Sequence, residues 1–89
     1  MKTSLHLPEN GLTGHFTKSL DYITADGIET AINHYSVVLE LGGGWNKRLS
    51  LYRNFDGQWM EDLVEQDGLL RHQLKLQIEK AERNTLWPI

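Results

Sequence analysis

At 89 residues the chain has room for one domain, and a chain of that length hides only about 60–65% of the surface it exposes when unfolded, which excludes a large internal pocket. A hydrophobic share of 39%, with 3 Trp, 3 Tyr and 2 Phe, supports a single packed core and excludes a disordered chain. The net charge of -3, from 9 Lys+Arg against 12 Asp+Glu, lacks the basic excess that neutralises phosphates and argues against nucleic acid as a partner.

The opening MKTSLHLPENG holds an apolar pair, Leu5 and Leu7, broken by His6 and closed by Pro8, which falls far short of a signal-peptide apolar run. No stretch approaches the ~20 apolar residues that span a bilayer. The expectation is a small acidic protein of the cytoplasm, away from membranes. It forms a single domain over 1–89, with flexible tails at 1–12 and 85–89. The absence of Cys removes disulfides and thiolate chemistry, so stability rests on packing and on any self-association, with a homodimer as one route.

Residues 14–24 carry Phe16, Leu20 and Tyr22 at even spacing with Thr17 and Ser19 between them, the pattern of a half-buried strand. The next stretch is ambiguous. Ile28, Ala31, Ile32 and Tyr35 fit one helix face, whereas Tyr35, Val37, Leu39 and Leu41 alternate. Gly27, Thr30 and Asn33 each disfavour a helix interior by up to about 1 kcal/mol, so a strand over 28–41, bent or bulged near Asn33-His34, is preferred to a short helix at 25–35. Gly42-Gly43-Gly44 must form a loop, because three glycines are costly to hold inside any element. Leu49 and Leu51 then alternate in a strand over 47–54. Asp56-Gly57 reads as a hairpin turn into a further strand over 58–64 with Trp59 and Leu63 on one side.

After Asp67-Gly68, Leu70, His72, Leu74, Leu76 and Ile78 alternate, but Leu70, Leu74, Ile78 and Ala81 also form a helical stripe. Composition decides for a helix over 68–83: Ile78 is the only β-branched residue from 69 to 83, Asp67 can cap the start, and Asn84 and Pro88 can stop it. The predicted fold is therefore α+β, an antiparallel meander of about four strands (14–24, 28–41, 47–54, 58–64) packed by one carboxy-terminal helix. An all-β meander or partial barrel is the alternative.

No constellation for catalysis, metal or cofactor survives inspection. His6, His15, His34 and His72 show no ligand spacing, and Ser36 near His34 has no elbow to present its hydroxyl. The triple glycine leads into a strand, where a phosphate-binding loop would need a helix. Lys47, Arg48 and Arg53 form a small basic cluster. What remains is a set of contact residues: Trp45, Asn46 and Lys47 at a hairpin tip, Trp87 near the end, and the acidic run Glu61, Asp62 and Glu65, which would steer a basic partner. Tryptophans are favoured interface anchors. The functional expectation is a protein-binding module, an adaptor or inhibitor or antitoxin-like partner, that is not an enzyme and covers another protein. The alternative is a small-ligand binder or modest enzyme that uses a concave sheet face with His34, Tyr35, Tyr52 or Arg53.

Overall fold

The computed structural model of the chain describes residues 2–8, 11–60 and 68–86, with 84–86 described by their backbone alone. Four strands, β1 (Thr3–Leu7), β2 (Leu12–Ala25), β3 (Ile28–Gly42) and β4 (Trp45–Arg53), are followed by one helix, α1 (Gly68–Leu86). The sheet runs in the order β1-β2-β3-β4 with every neighbour antiparallel, and it does not close into a barrel. The meander and the carboxy-terminal helix match the fold expected from the sequence.

The turns follow from their residues. Asp26 and Gly27 both take positive φ, 54° and 78°, the geometry whose twist matches the strands it joins. It closes β2 onto β3 at the pair Ala25 and Ile28. All three glycines from Gly42 to Gly44 have φ between 61° and 88°, a region closed to most side chains, so this tip could be built from little else. Gly14, inside β2, answers to packing: a Cβ there would collide with the Val38 carbonyl oxygen and lie 3.0 Å from Leu39 Cα on the neighbouring strand.

One face of the sheet is apolar. Register places Phe16 opposite Val37, Val37 opposite Leu49, and Tyr35 opposite Leu51, so alternation brings their side chains to one side. With Leu5, Leu7 and Leu39 they form the core that Leu74 and Ile78 of α1 seal. Leu70 and Ala81 pack against its margin. Burial also resolves the ambiguity in α1: Leu74 is 0% exposed and Leu76 49%, which fits helical spacing and contradicts alternation.

Several expectations are corrected. Residues 1–12 are not simply a tail, because Thr3–Leu7 pair with β2 and bury Leu5 and Leu7. Two apolar residues in a five-residue strand give too short a pattern to be read without its partner. The region 25–35 is the Asp26-Gly27 turn followed by strand from Ile28, with no helix. Its pairing with β2 runs unbroken through Asn33 and His34, and the register shift lies in the pairing with β4 between Glu40 and Gly42 instead, where the glycine turn distorts the ladder. Of the strand expected at 58–64, residues 61–64 lie outside the described residues. Trp59 makes only an isolated bridge to Arg53, so the fourth strand of the sheet is β1. The Asp56-Gly57 turn does form, with Gly57 N–H donating to the Asn54 carbonyl at 3.1 Å and Asn54 N–H to the Gln58 carbonyl at 2.9 Å.

The paired side chains predict a contrast. Leu74→Ala should lower the unfolding free energy in urea by about 2–5 kcal/mol, whereas Leu76→Ala should change it by less than about 0.5 kcal/mol. Comparable losses at both positions would contradict the helix orientation.

Candidate functional site

Two places gather chemically distinctive side chains. The first lies where the carboxy-terminal half of α1 meets the middle of β2 and β3 and the end of β4. Tyr35 and Lys18 are direct cross-strand partners on β3 and β2, and Arg53 is the last residue of β4. All three reach Glu82. Its Oε1 accepts from the Tyr35 hydroxyl at 2.7 Å and from Arg53 Nη1 at 3.3 Å, while Oε2 accepts from Lys18 Nζ at 2.8 Å. One turn earlier, Glu79 Oε1 accepts from Trp59 Nε1 at 2.9 Å and pairs with Arg53 Nη2 at 3.6 Å. The Arg53 guanidinium lies 5.1 Å from the Trp59 ring centre and donates through Nε to the Gly57 carbonyl at 2.9 Å, which holds the 54–57 turn against the cluster.

The cluster borders an open cleft of about 440 Å³ whose walls include Lys18, Asn33, Tyr35, Arg53, Glu82 and Arg83, with Phe55 exposed at its edge. Burial, reinforced by the hydrogen bond to Glu82 and by that residue's charge, pushes the Tyr35 hydroxyl well above its ordinary value. Burial alone would also raise Glu82. The hydrogen bonds from Lys18 and Tyr35 and the charges of Lys18 and Arg53 outweigh it and hold the carboxyl below its ordinary value. Both shifts move these groups away from proton exchange at neutral pH, so the cluster suits positioning or recognition better than acid–base work.

The second place is the β3–β4 tip. Trp45 is 75% exposed there, with Leu41 beside it in sequence across the glycine turn and half exposed. Trp45 and Asn46 line a shallow groove of about 360 Å³ with His15, Val38 and Glu40, on the face of the sheet opposite α1. Of the predicted contact residues, the structure brings these two together. Lys47 pairs with Leu39 and by alternation belongs to the other face. Trp87, Glu61, Asp62 and Glu65 lie outside the described residues.

The remaining candidates separate. Arg53 enters the cleft while Arg48, paired with Val38, sits on the opposite face from Lys47, so the basic cluster does not form one patch. Tyr35 and Arg53 share the cleft, but His34 and Tyr52 stack on each other at 4.8 Å on the other face, with His34 Nε2 3.0 Å from Ser50 Oγ. Among the described residues no three His, Asp or Glu side chains come close enough to hold a metal ion. Sequence reading missed Lys18, Glu79 and Glu82. A signal was present: Glu79 and Glu82 lie one and four positions after Ile78, beside the apolar stripe, where a carboxylate needs a partner. No protein-family model, no curated protein and no solved structure matches the chain.

The Glu82 shift fixes a pH dependence. Its folded value lies below the ordinary 4.5, so the stability it contributes is complete above that value and drains as pH falls through the folded one. Glu82→Gln should cost about 1–3 kcal/mol in urea at neutral pH, with the gap from the wild type closing as the pH drops below 4.5. An unchanged gap in acid would show that the carboxylate charge is not the stabilising element.

Proposed function

We propose that the chain is a protein-binding module, adaptor-like or inhibitor-like, that covers part of a partner protein with its β3–β4 tip. One observation carries this reading: Trp45 stands 75% exposed as the first residue of β4, directly after a turn whose three glycines take the left-handed conformation. A tryptophan buries about 150–250 Å² when covered, which is why exposed tryptophans on ordered hairpins serve as anchors. The groove beside it, with His15, Val38 and Glu40, supplies the mixed polar rim that such an anchor uses. Among the described residues no helix is long and apolar enough to cross a membrane, which agrees with a partner met away from a bilayer.

A second reading rests on the 440 Å³ cleft, where Lys18, Arg53 and Arg83 face Glu79 and Glu82. That mixture would suit a small molecule carrying both charges.

The two readings separate by experiment. Trp45→Ala should leave the melting temperature within about 2 °C of the wild type, since it removes no buried contact. The protein cross-linked to the wild type in native lysate should be lost from the variant. A partner retained equally by both would remove the tip from the interface. For the cleft, a panel of zwitterionic metabolites should raise the melting temperature of the wild type and not of Arg53→Ala if a ligand binds there; no shift with any compound would set the second reading aside.

A further inference from the structure

At the end of the sheet away from Trp45, β2 and β3 run on together past both of their neighbours. β1 pairs with β2 only as far as Phe16, and β4 pairs with β3 only from Asn33 onward. Beyond those limits lies a two-stranded ribbon in which every residue from Lys18 to Thr30 is exposed. Its apolar side chains include Leu20, Tyr22, Ile23 and Ile28, with Tyr22 58% and Ile28 66% exposed. A ribbon of two strands is only marginally stable in water, and a third or fourth strand is what normally secures it.

The direction of its free hydrogen-bonding groups can be worked out. Ala25 and Ile28 close a two-residue turn, so they exchange backbone hydrogen bonds with each other, and every second residue back along β2 (Ile23, Asp21, Ser19) also points its N–H and C=O at β3. Lys18, Leu20, Tyr22 and Thr24 therefore point theirs at the empty edge. One observation agrees: the Tyr22 N–H is engaged by the side chain of Asp21 at 2.8 Å, which a ladder amide would not be.

We propose that this edge is the interface for a second copy of the chain, with the β2 strands of the two copies pairing antiparallel about Tyr22. The open stretch runs from Lys18, just past β1, to the turn at Asp26, and its midpoint is Tyr22. A two-fold axis through that midpoint, perpendicular to the sheet, sets residue i against 44 − i. Tyr22 then meets Tyr22, Leu20 meets Thr24, Asp21 meets Ile23, and Lys18 of each copy comes beside Asp26 of the other. No like charges oppose one another, and opposite charges meet at both ends. Sliding the copies towards β1 drives each turn into the other copy's Thr3, and sliding them apart leaves Lys18 without a facing residue. The pairing joins two four-stranded sheets edge to edge and leaves both Trp45 tips free, so it stands independently of the partner reading above. It also assigns a role to Asp21, whose carboxylate occupies the Tyr22 N–H in the single chain and must release it for the strands to join. That guards the edge and weakens the association.

Sedimentation velocity over a range of concentrations tests this. The wild type should shift from monomer to dimer as concentration rises. Asp21→Ala should dimerise more tightly, Tyr22→Phe should match the wild type, and Tyr22→Pro, tolerated in an edge strand whose N–H faces outward, should weaken the dimer by at least about tenfold. Hydrogen exchange on the wild type gives a readout independent of any variant: the amides of Leu20, Tyr22 and Thr24 should slow with concentration while the exposed β4 tip does not change. A monomer at every concentration for both wild type and Asp21→Ala would overturn the proposal, as would a dimer that shows no protection at these three amides.

Discussion

One carboxylate fixes where the helix sits on the sheet. The apolar contact through Leu74 and Ile78 is strong but has no direction, so sliding α1 by part of a turn would bury similar area. Glu82 removes that freedom, because its two oxygens take donors from β2, β3 and β4 at once, through Lys18, Tyr35 and Arg53. A group only 19% exposed would suffer a desolvation cost if left alone. Three donors, two of them cationic, offset it. The same Arg53 then positions Glu79, Trp59 and the Gly57 carbonyl, so the loop after β4 is organised by the contact that places the helix.

This arrangement makes the two ends of the sheet unlike. Where α1 lies, the inward side chains are covered and the β3–β4 turn is held by a three-stranded pairing behind it. Beyond the buried Ile32 the cover stops. The strands do not, and from Lys18 to Thr30 the chain holds its ladder hydrogen bonds without a packed face. Local stability should follow that division, with opening easiest at the ribbon and hardest around Val37 and Leu39.

What the sequence made legible divides along the same physical lines. Local chemistry was readable: Asp26-Gly27 and the glycine triplet demanded turns, and helix-forming composition overrode a misleading alternation from Leu70 to Ile78. Short or distant pairings were not. β1 contributes two buried leucines whose meaning depends on a strand that follows them, and the Lys18–Glu82 contact joins residues 64 apart, invisible to any window along the chain. The candidate contact residues at the tip divide between two faces for a related reason. Trp45, Asn46 and Lys47 are adjacent in sequence, yet alternation sends Asn46 and Lys47 to opposite faces, and only Trp45 and Asn46 share a groove.

The face opposite the helix sharpens the functional argument. Thr17, Ser36 and Ser50 lie side by side across three strands there, His34 reaches Ser50, and Ser19 and Arg48 extend the polar surface. An antiparallel sheet keeps such side chains in water at little cost, so these polar positions call for no cover, while Ile32, on the same face by alternation with His34 and Ser36, is already buried. The features that do call for one are elsewhere: a bare tryptophan at one end and an unpaired strand edge with exposed Leu20, Tyr22 and Ile28 at the other. These two surfaces lie at the opposite extremes of one continuous ladder. A contact at either end then leaves the other open. The proposed partner contact at Trp45 and the proposed pairing at Tyr22 therefore do not compete for the same surface.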